Sequence, residues 1–230
     1  MNTPFSLILY EISIWTIPAV IAITFHEVSH GYVAHVLGDD TAWRLGRVSF
    51  NPLVHIDPFG TVVLPVMLLL LRAPFLFGYA KPVPVNFRAL RYPRVGTILV
   101  AAAGPVMNLL LAAIAALAFH IVSYVPAPEA QWLAANLKNA LILNVILAIF
   151  NLLPVPPLDG GRILVGVLPG TLARSLSRFE PYGLLILIGL LFLLPLLGAQ
   201  LGINLDPLSR LIMTSTNAVV GIILRLTGNV

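Results

Sequence analysis

Residues 5–37 form an almost unbroken apolar run, and comparable runs follow at about 95–125, 132–153 and 182–201. About 20 apolar residues are what a helix needs to cross a bilayer. Hydrocarbon offers backbone N–H and C=O groups no water, so spanning segments of this kind are helical. A further run at about 207–226 carries Ser209, Arg210, Thr214, Ser215, Thr216 and Asn217. It is expected to pack against other helices on one side or to lie partly in the interface. The 230 residues are 59% hydrophobic and 10% charged, whereas soluble domains carry about 25% charged residues. The expectation is an all-α polytopic membrane protein of about five to six transmembrane helices. Residues 1–230 read as one domain, since no hydrophilic stretch is long enough for a second. The first apolar run has no basic region before it, so it is expected to be a span and not a cleaved signal peptide.

Residues 60–78 behave differently. The strongly apolar part is short, is interrupted by Pro65, and leads into Arg72 and Pro74. Such a run suits a hairpin that dips into the membrane and returns, with short strands possible elsewhere between the first and second full spans. With that hairpin, Arg44, Arg47, Arg72, Lys81, Arg88, Arg91, Arg94, Arg162, Arg174, Arg178 and Arg225 share one face. The loops at about 126–131 and 202–206 hold no Lys or Arg. The positive-inside tendency makes the basic face cytoplasmic, with the N-terminus outside and the C-terminus inside. The net charge of +4 therefore reports orientation, and no nucleic-acid partner is expected.

His26-Glu27-Val28-Ser29-His30 lies inside the first run. Residues four apart share a helix face, so both imidazoles can reach one zinc ion, with Glu27 beside it to take a proton from water. A charged side chain at the centre of a span costs roughly 2.5–3.5 kcal/mol, and a metal would compensate for such a cluster. A catalytic zinc site typically has three protein ligands and an open position. The chain has no cysteine, so the third ligand should be an acid or another histidine.

Glu11 is too far from His26 along the helix, at about 1.5 Å per residue. Asp39 and Asp40 follow Gly38 and suit a turn, Glu129 and Asp206 lie on the wrong face, and Glu180 belongs to a polar loop with Arg178. Asp57 and Asp159 remain. Asp159 is preferred: it follows a span directly, in Asn151-Leu152-Leu153-Pro154-Val155-Pro156-Pro157-Leu158-Asp159-Gly160-Gly161. The prolines forbid regular helix there, and irregular backbone at that depth must be buried or line a cavity. An even number of crossings also returns Asp159 to the level of the histidines.

Taken together, the sequence resembles the site-2 protease family of intramembrane zinc metalloproteases, in its compact prokaryotic branch without a PDZ or CBS domain. The resemblance rests on His26–His30, on Gly104-Pro105-Val106-Met107-Asn108, and on the Asn151–Gly161 stretch. Gly46–Leu53 and Ala80–Asn86 add to it. It implies one zinc ion held by His26, His30 and Asp159, Glu27 as general base, and Asn108 and Asn151 lining the cleft or serving a developing oxyanion. It further implies a catalytic core at about 5–165, C-terminal helices at about 181–226, transmembrane protein substrates, and a prokaryotic cell membrane with the active site towards the cytoplasm.

A membrane metal transporter would use the same ligands, but it needs a polar path to the other face. Apart from Glu11, the outer helix halves are almost wholly apolar. An inactive homologue that only binds helices has no need of Glu27. Other polar positions have plainer readings: Asn144 as helix-packing glue, Ala101–Gly104 as a close helix contact, His55 and Asp57 as a turn, and His120 as an interfacial residue.

Overall fold

The computed structural model describes residues 5–70 and 78–230. In chain order its helices are α1 (Phe5–Val36), α2 (Thr41–Arg44), α3 (Leu64–Leu70), α4 (Pro93–Ala118), α5 (Glu129–Asn151), α6 (Asp159–Val167), α7 (Gly170–Ser177), α8 (Gly183–Ile188), α9 (Leu194–Gln200) and α10 (Pro207–Leu226). Four are long and apolar enough to cross a membrane: Ser6–Val36, Pro93–Tyr124, Glu129–Asn151 and Pro207–Leu226. Gly170–Tyr182 and Leu185–Gln200 make a fifth span only if the 69° bend between them falls within one crossing. Over the described residues the protein is thus all-α and polytopic as expected, with four or five spans.

Side-chain hydrogen bonds fix how the first three spans run. Pro18 lies inside α1 and has no N–H, which leaves the Ile14 carbonyl without its helical donor. Asn139 Nδ2 of α5 donates to that carbonyl at 2.9 Å. About two turns earlier on α5, Trp132 Nε1 donates to Ser13 Oγ at 2.9 Å. α5 is therefore parallel to α1. α4 runs antiparallel between them, with Val100 beside His30 and Asn108 beside Ala22. Buried Ala101, Gly104, Ala112, Ala115 and Ala116 let α4 approach its neighbours closely.

The two ends of the expected hairpin meet. Tyr79 N donates to Gly60 O at 3.1 Å, and Thr61 Oγ1 donates to Tyr79 O at 3.0 Å. A segment that leaves at Gly60 and is hydrogen-bonded to it again at Tyr79 makes no net crossing. Its middle, with Arg72 and Pro74, lies outside the described residues.

No strand occurs among the described residues, which corrects the expectation of short strands between the first and second spans. Residues 78–86 instead form an irregular strap across α1. Pro82 and Pro84 remove two backbone donors, so the strap cannot offer the regular N–H row a ladder requires.

The C-terminus corrects a second expectation. His120 Nε2 donates to Thr227 O at 2.7 Å, and Asn229 Nδ2 donates to Ala116 O at 2.9 Å. Val219, Val220, Ile223 and Leu224 pack on Ala112, Ala115, Ala116, Leu141 and Val145. The end of α10, with Arg225, therefore lies where α4 finishes and α5 begins, away from the basic face. As a span, α10 is parallel to α4; with no net crossing by the bent pair, the start of α1 and the end of α10 then lie on the same side. The charge pattern could not reveal this, because α10 has one arginine near each end, Arg210 and Arg225.

Candidate metal centre

The third quarter of α1 faces the first half of α4, and both present small or polar atoms to each other. A Cβ at Gly104 would lie 2.5 Å from His26 Cε1 and 2.5 Å from His30 Nε2. Only glycine leaves room for the two rings, which meet edge to face with centroids 4.6 Å apart.

Asp159 arrives from the other side, at the start of α6. After α5 the chain folds back on itself at Gly160 and Gly161, where a Cβ would collide with Leu152 O or with Pro156 N. These glycines bring the Asp159 carboxylate beneath the histidines. His26 Nε2 and His30 Nε2 are 3.0 Å apart, and Asp159 Oδ2 lies 3.2 and 3.3 Å from them. All three side chains are buried.

The outer hydrogen bonds decide what these atoms are. His30 Nδ1 lies 2.7 Å from Val100 O. A carbonyl only accepts, so Nδ1 carries the proton and Nε2 of the neutral ring presents a lone pair. Asn108 Nδ2 donates to Ala22 O at 3.2 Å and to Asn144 Oδ1 at 2.8 Å. Its Oδ1 therefore faces His26 Nδ1, which donates at 2.6 Å. Nε2 of His26 is likewise a lone pair.

Two imidazole lone pairs and a carboxylate oxygen thus converge without a proton donor among them. Asp159 Oδ2 accordingly has no hydrogen-bond partner despite its short separations. A buried cluster of acceptors alone is unfavourable, and a cation at its centre satisfies all three. A tetrahedral zinc with ligands at about 2.0–2.1 Å requires ligand atoms about 3.3–3.4 Å apart. The observed separations of 3.0, 3.2 and 3.3 Å fall slightly short of that, and the donor set suits zinc.

Glu27 sits on the adjoining face of α1, partly buried. Its Oε2 accepts the Val83 N–H at 2.7 Å, and among the described residues Oε1 has no protein hydrogen bond. The strap that supplies Val83 is held along its length. Lys81 N donates to His55 O at 2.9 Å, Arg47 Nη2 to Lys81 O at 2.9 Å, and Asn86 N to Asp39 Oδ2 at 2.6 Å. Val83 itself packs over Gly31, where a Cβ would lie 3.0 Å from Val83 Cγ1.

The structure therefore brings His26, His30 and Asp159 together, with Glu27 alongside. Asp57 is elsewhere, accepting from Phe59 N and Gly60 N as a helix cap. Asn108 does not face the cleft. It is fully buried behind His26 and has given both amide hydrogens to other acceptors, so it has none for an oxyanion. Asn151, partly buried, donates to Leu147 O of its own helix at 3.0 Å. The sequence did not single out Val100 O, Asn144 or Val83 as parts of the site. Two of these contacts use backbone atoms, which leave no residue-type signal.

Residues 119–196 match the model of peptidase family M50. The chain is 39% identical over 200 residues to a Bacillus subtilis protein named "Putative zinc metalloprotease YwhC", with 84% of each chain covered. It is 28% identical to "Putative zinc metalloprotease Rip2" of Mycolicibacterium smegmatis, over 75% of this chain and 64% of that protein. The same identity holds for the Rip2 protein of Mycobacterium tuberculosis H37Rv, over 77% of this chain and 66% of the relative. No solved structure matches.

Proposed function

The chain belongs to peptidase family M50 as a membrane-embedded zinc metallopeptidase, and from that premise we propose that it cleaves other membrane proteins within their transmembrane segments. One observation carries this reading: the converging His26, His30 and Asp159 acceptors are buried between spans whose outward surfaces are apolar. A substrate already in the bilayer can reach such a site without leaving hydrocarbon.

In this reading His26, His30 and Asp159 hold the metal. Bound there, zinc supplies Lewis acidity, which lowers the pKa of water towards about 7 and polarises a peptide carbonyl. Glu27 takes the proton of the attacking water at Oε1 while the Val83 N–H holds Oε2 in place, and then returns it to the leaving amine. Asn151 has a second amide hydrogen to offer a developing oxyanion. A transmembrane helix hides its carbonyls in its own hydrogen bonds, so the substrate must unwind locally before it is cut.

Residues 1–230 act as one unit, with the chemistry in about 5–165 and C-terminal helices at about 181–226. The site end, bearing Arg44, Arg47, Lys81, Arg88, Arg91 and Arg94, faces the cytoplasm of a prokaryotic cell.

The test is a single-span peptide with Gly, Pro and Asn near mid-span, reconstituted with the purified protein. Wild type should cut it inside the apolar segment. Glu27→Gln should keep its zinc and lose about 10²–10⁴-fold in rate. Cleavage restricted to water-soluble peptides would contradict the intramembrane reading, and unchanged turnover in Glu27→Gln would remove that residue from the mechanism.

A further inference from the structure

We propose that Asn144 is a positioning residue for the metal site, acting through Asn108 to hold the His26 ring in its metal-binding tautomer and orientation. The proposal rests on His26 being a ligand, as above.

Three links connect α5 to the histidine. Asn144 Nδ2 donates to Ala140 O at 2.8 Å. Asn144 Oδ1 accepts from Asn108 Nδ2 at 2.8 Å, and Asn108 Oδ1 accepts from His26 Nδ1 at 2.6 Å. The direction of each link is forced. Ala140 O and Ala22 O are carbonyls, so each amide must turn its nitrogen towards one and its oxygen the other way. Asn144 and Asn108 are 2% and 0% exposed, so water cannot replace a lost partner. The relay ends on a helix backbone, which cannot rotate, and three spans share it.

A contact that only joins helices would look different, and the same helix provides one. Asn139 donates to the Ile14 carbonyl that Pro18 orphans, and it has no hydrogen bond to the site. Asn144→Leu keeps side-chain bulk but deletes the acceptor, leaving an Asn108 N–H buried and unpaired. Asn108 then keeps only the 3.2 Å bond to Ala22 O, so it holds the His26 ring less firmly. In its protonated form, the Asn144→Asp side chain keeps a carbonyl towards Asn108 and a hydroxyl towards Ala140 O.

The experiment titrates zinc into detergent-purified apoprotein against a competing chelator and records the visible spectrum of the cobalt-loaded form. Asn144→Leu should bind zinc about tenfold more weakly, near the lower end of what outer hydrogen-bond partners of metal ligands usually contribute, with an altered cobalt spectrum. Asn139→Leu should leave both unchanged, and Asn144→Asp should restore both. If Asn144→Leu does not fold, Asn144→Ala makes the same comparison. Equal zinc affinity in the Asn139 and Asn144 variants would overturn the proposal, as would an Asn144→Asp variant no better than Asn144→Leu. His26→Ala in the same titration tests the ligand assignment separately: full zinc binding in that variant would overturn the underlying reading, whatever Asn144 does.

Discussion

At the scale of single residues, the metal site depends as much on what is missing as on what is present. Gly104 has no side chain, and the two imidazoles occupy that space. Gly104→Ala should push both rings off their positions and weaken zinc binding by about 10–100-fold, measured by chelator competition. Zinc affinity at the wild-type level would mean that the rings have room the structure does not show. The convergence of His26, His30 and Asp159 was legible because helical spacing alone puts the two histidines on one face, and because the prolines and glycines around Asp159 require an irregular, buried backbone. Asn144 was not legible as part of the site. A lone asparagine in a span reads as helix glue, and its partner Asn108 lies in a different span. Gly104 stood within a recognisable small-residue run, but spacing could not tell a ring contact from a helix contact.

At the scale of elements, the strap formed by residues 78–86 couples the loops of the site end to Glu27. Its Val83 N–H, between two prolines that have none, is the backbone group that meets the carboxylate. Val83→Pro deletes that donor in a segment already rich in proline. Cleavage should fall by about tenfold, the scale of one hydrogen bond to a charged group, while zinc per chain stays at the wild-type value. Equal loss of zinc and activity would show that the strap supports the fold as a whole and has no particular hold on Glu27. The sequence allowed short strands between the first and second full spans. Hydropathy cannot distinguish a proline-rich strap from an edge strand, since both are short, extended and partly apolar. The hairpin was better specified: a short apolar run interrupted by proline and ended by arginine is too brief to cross, and Gly60 is bonded to Tyr79 at its base.

At the scale of the whole molecule, the unbroken spans were readable from length and hydropathy, and the first three also in direction, whereas the run expected to span at about 182–201 falls in the bent pair. The direction of α10 was not, because an arginine near each end gives the positive-inside tendency nothing to weigh. The structure places Thr227 against His120, so residue 230 should share a side with the start of α5. The absence of cysteine makes single-cysteine labelling in sealed vesicles unambiguous. Val230→Cys should react with an impermeant maleimide from the same side as Glu129→Cys, and Arg174→Cys from the other. Labelling of Val230→Cys together with Arg174→Cys would reverse α10. Two histidines in the first span and an aspartate after the third are proposed to form one zinc site. The most direct measurement is zinc per chain, by elemental analysis, in detergent-purified wild type, His26→Ala and Asp159→Ala. The account predicts one zinc in wild type and a sharp loss in both variants; full zinc retention in Asp159→Ala would contradict it.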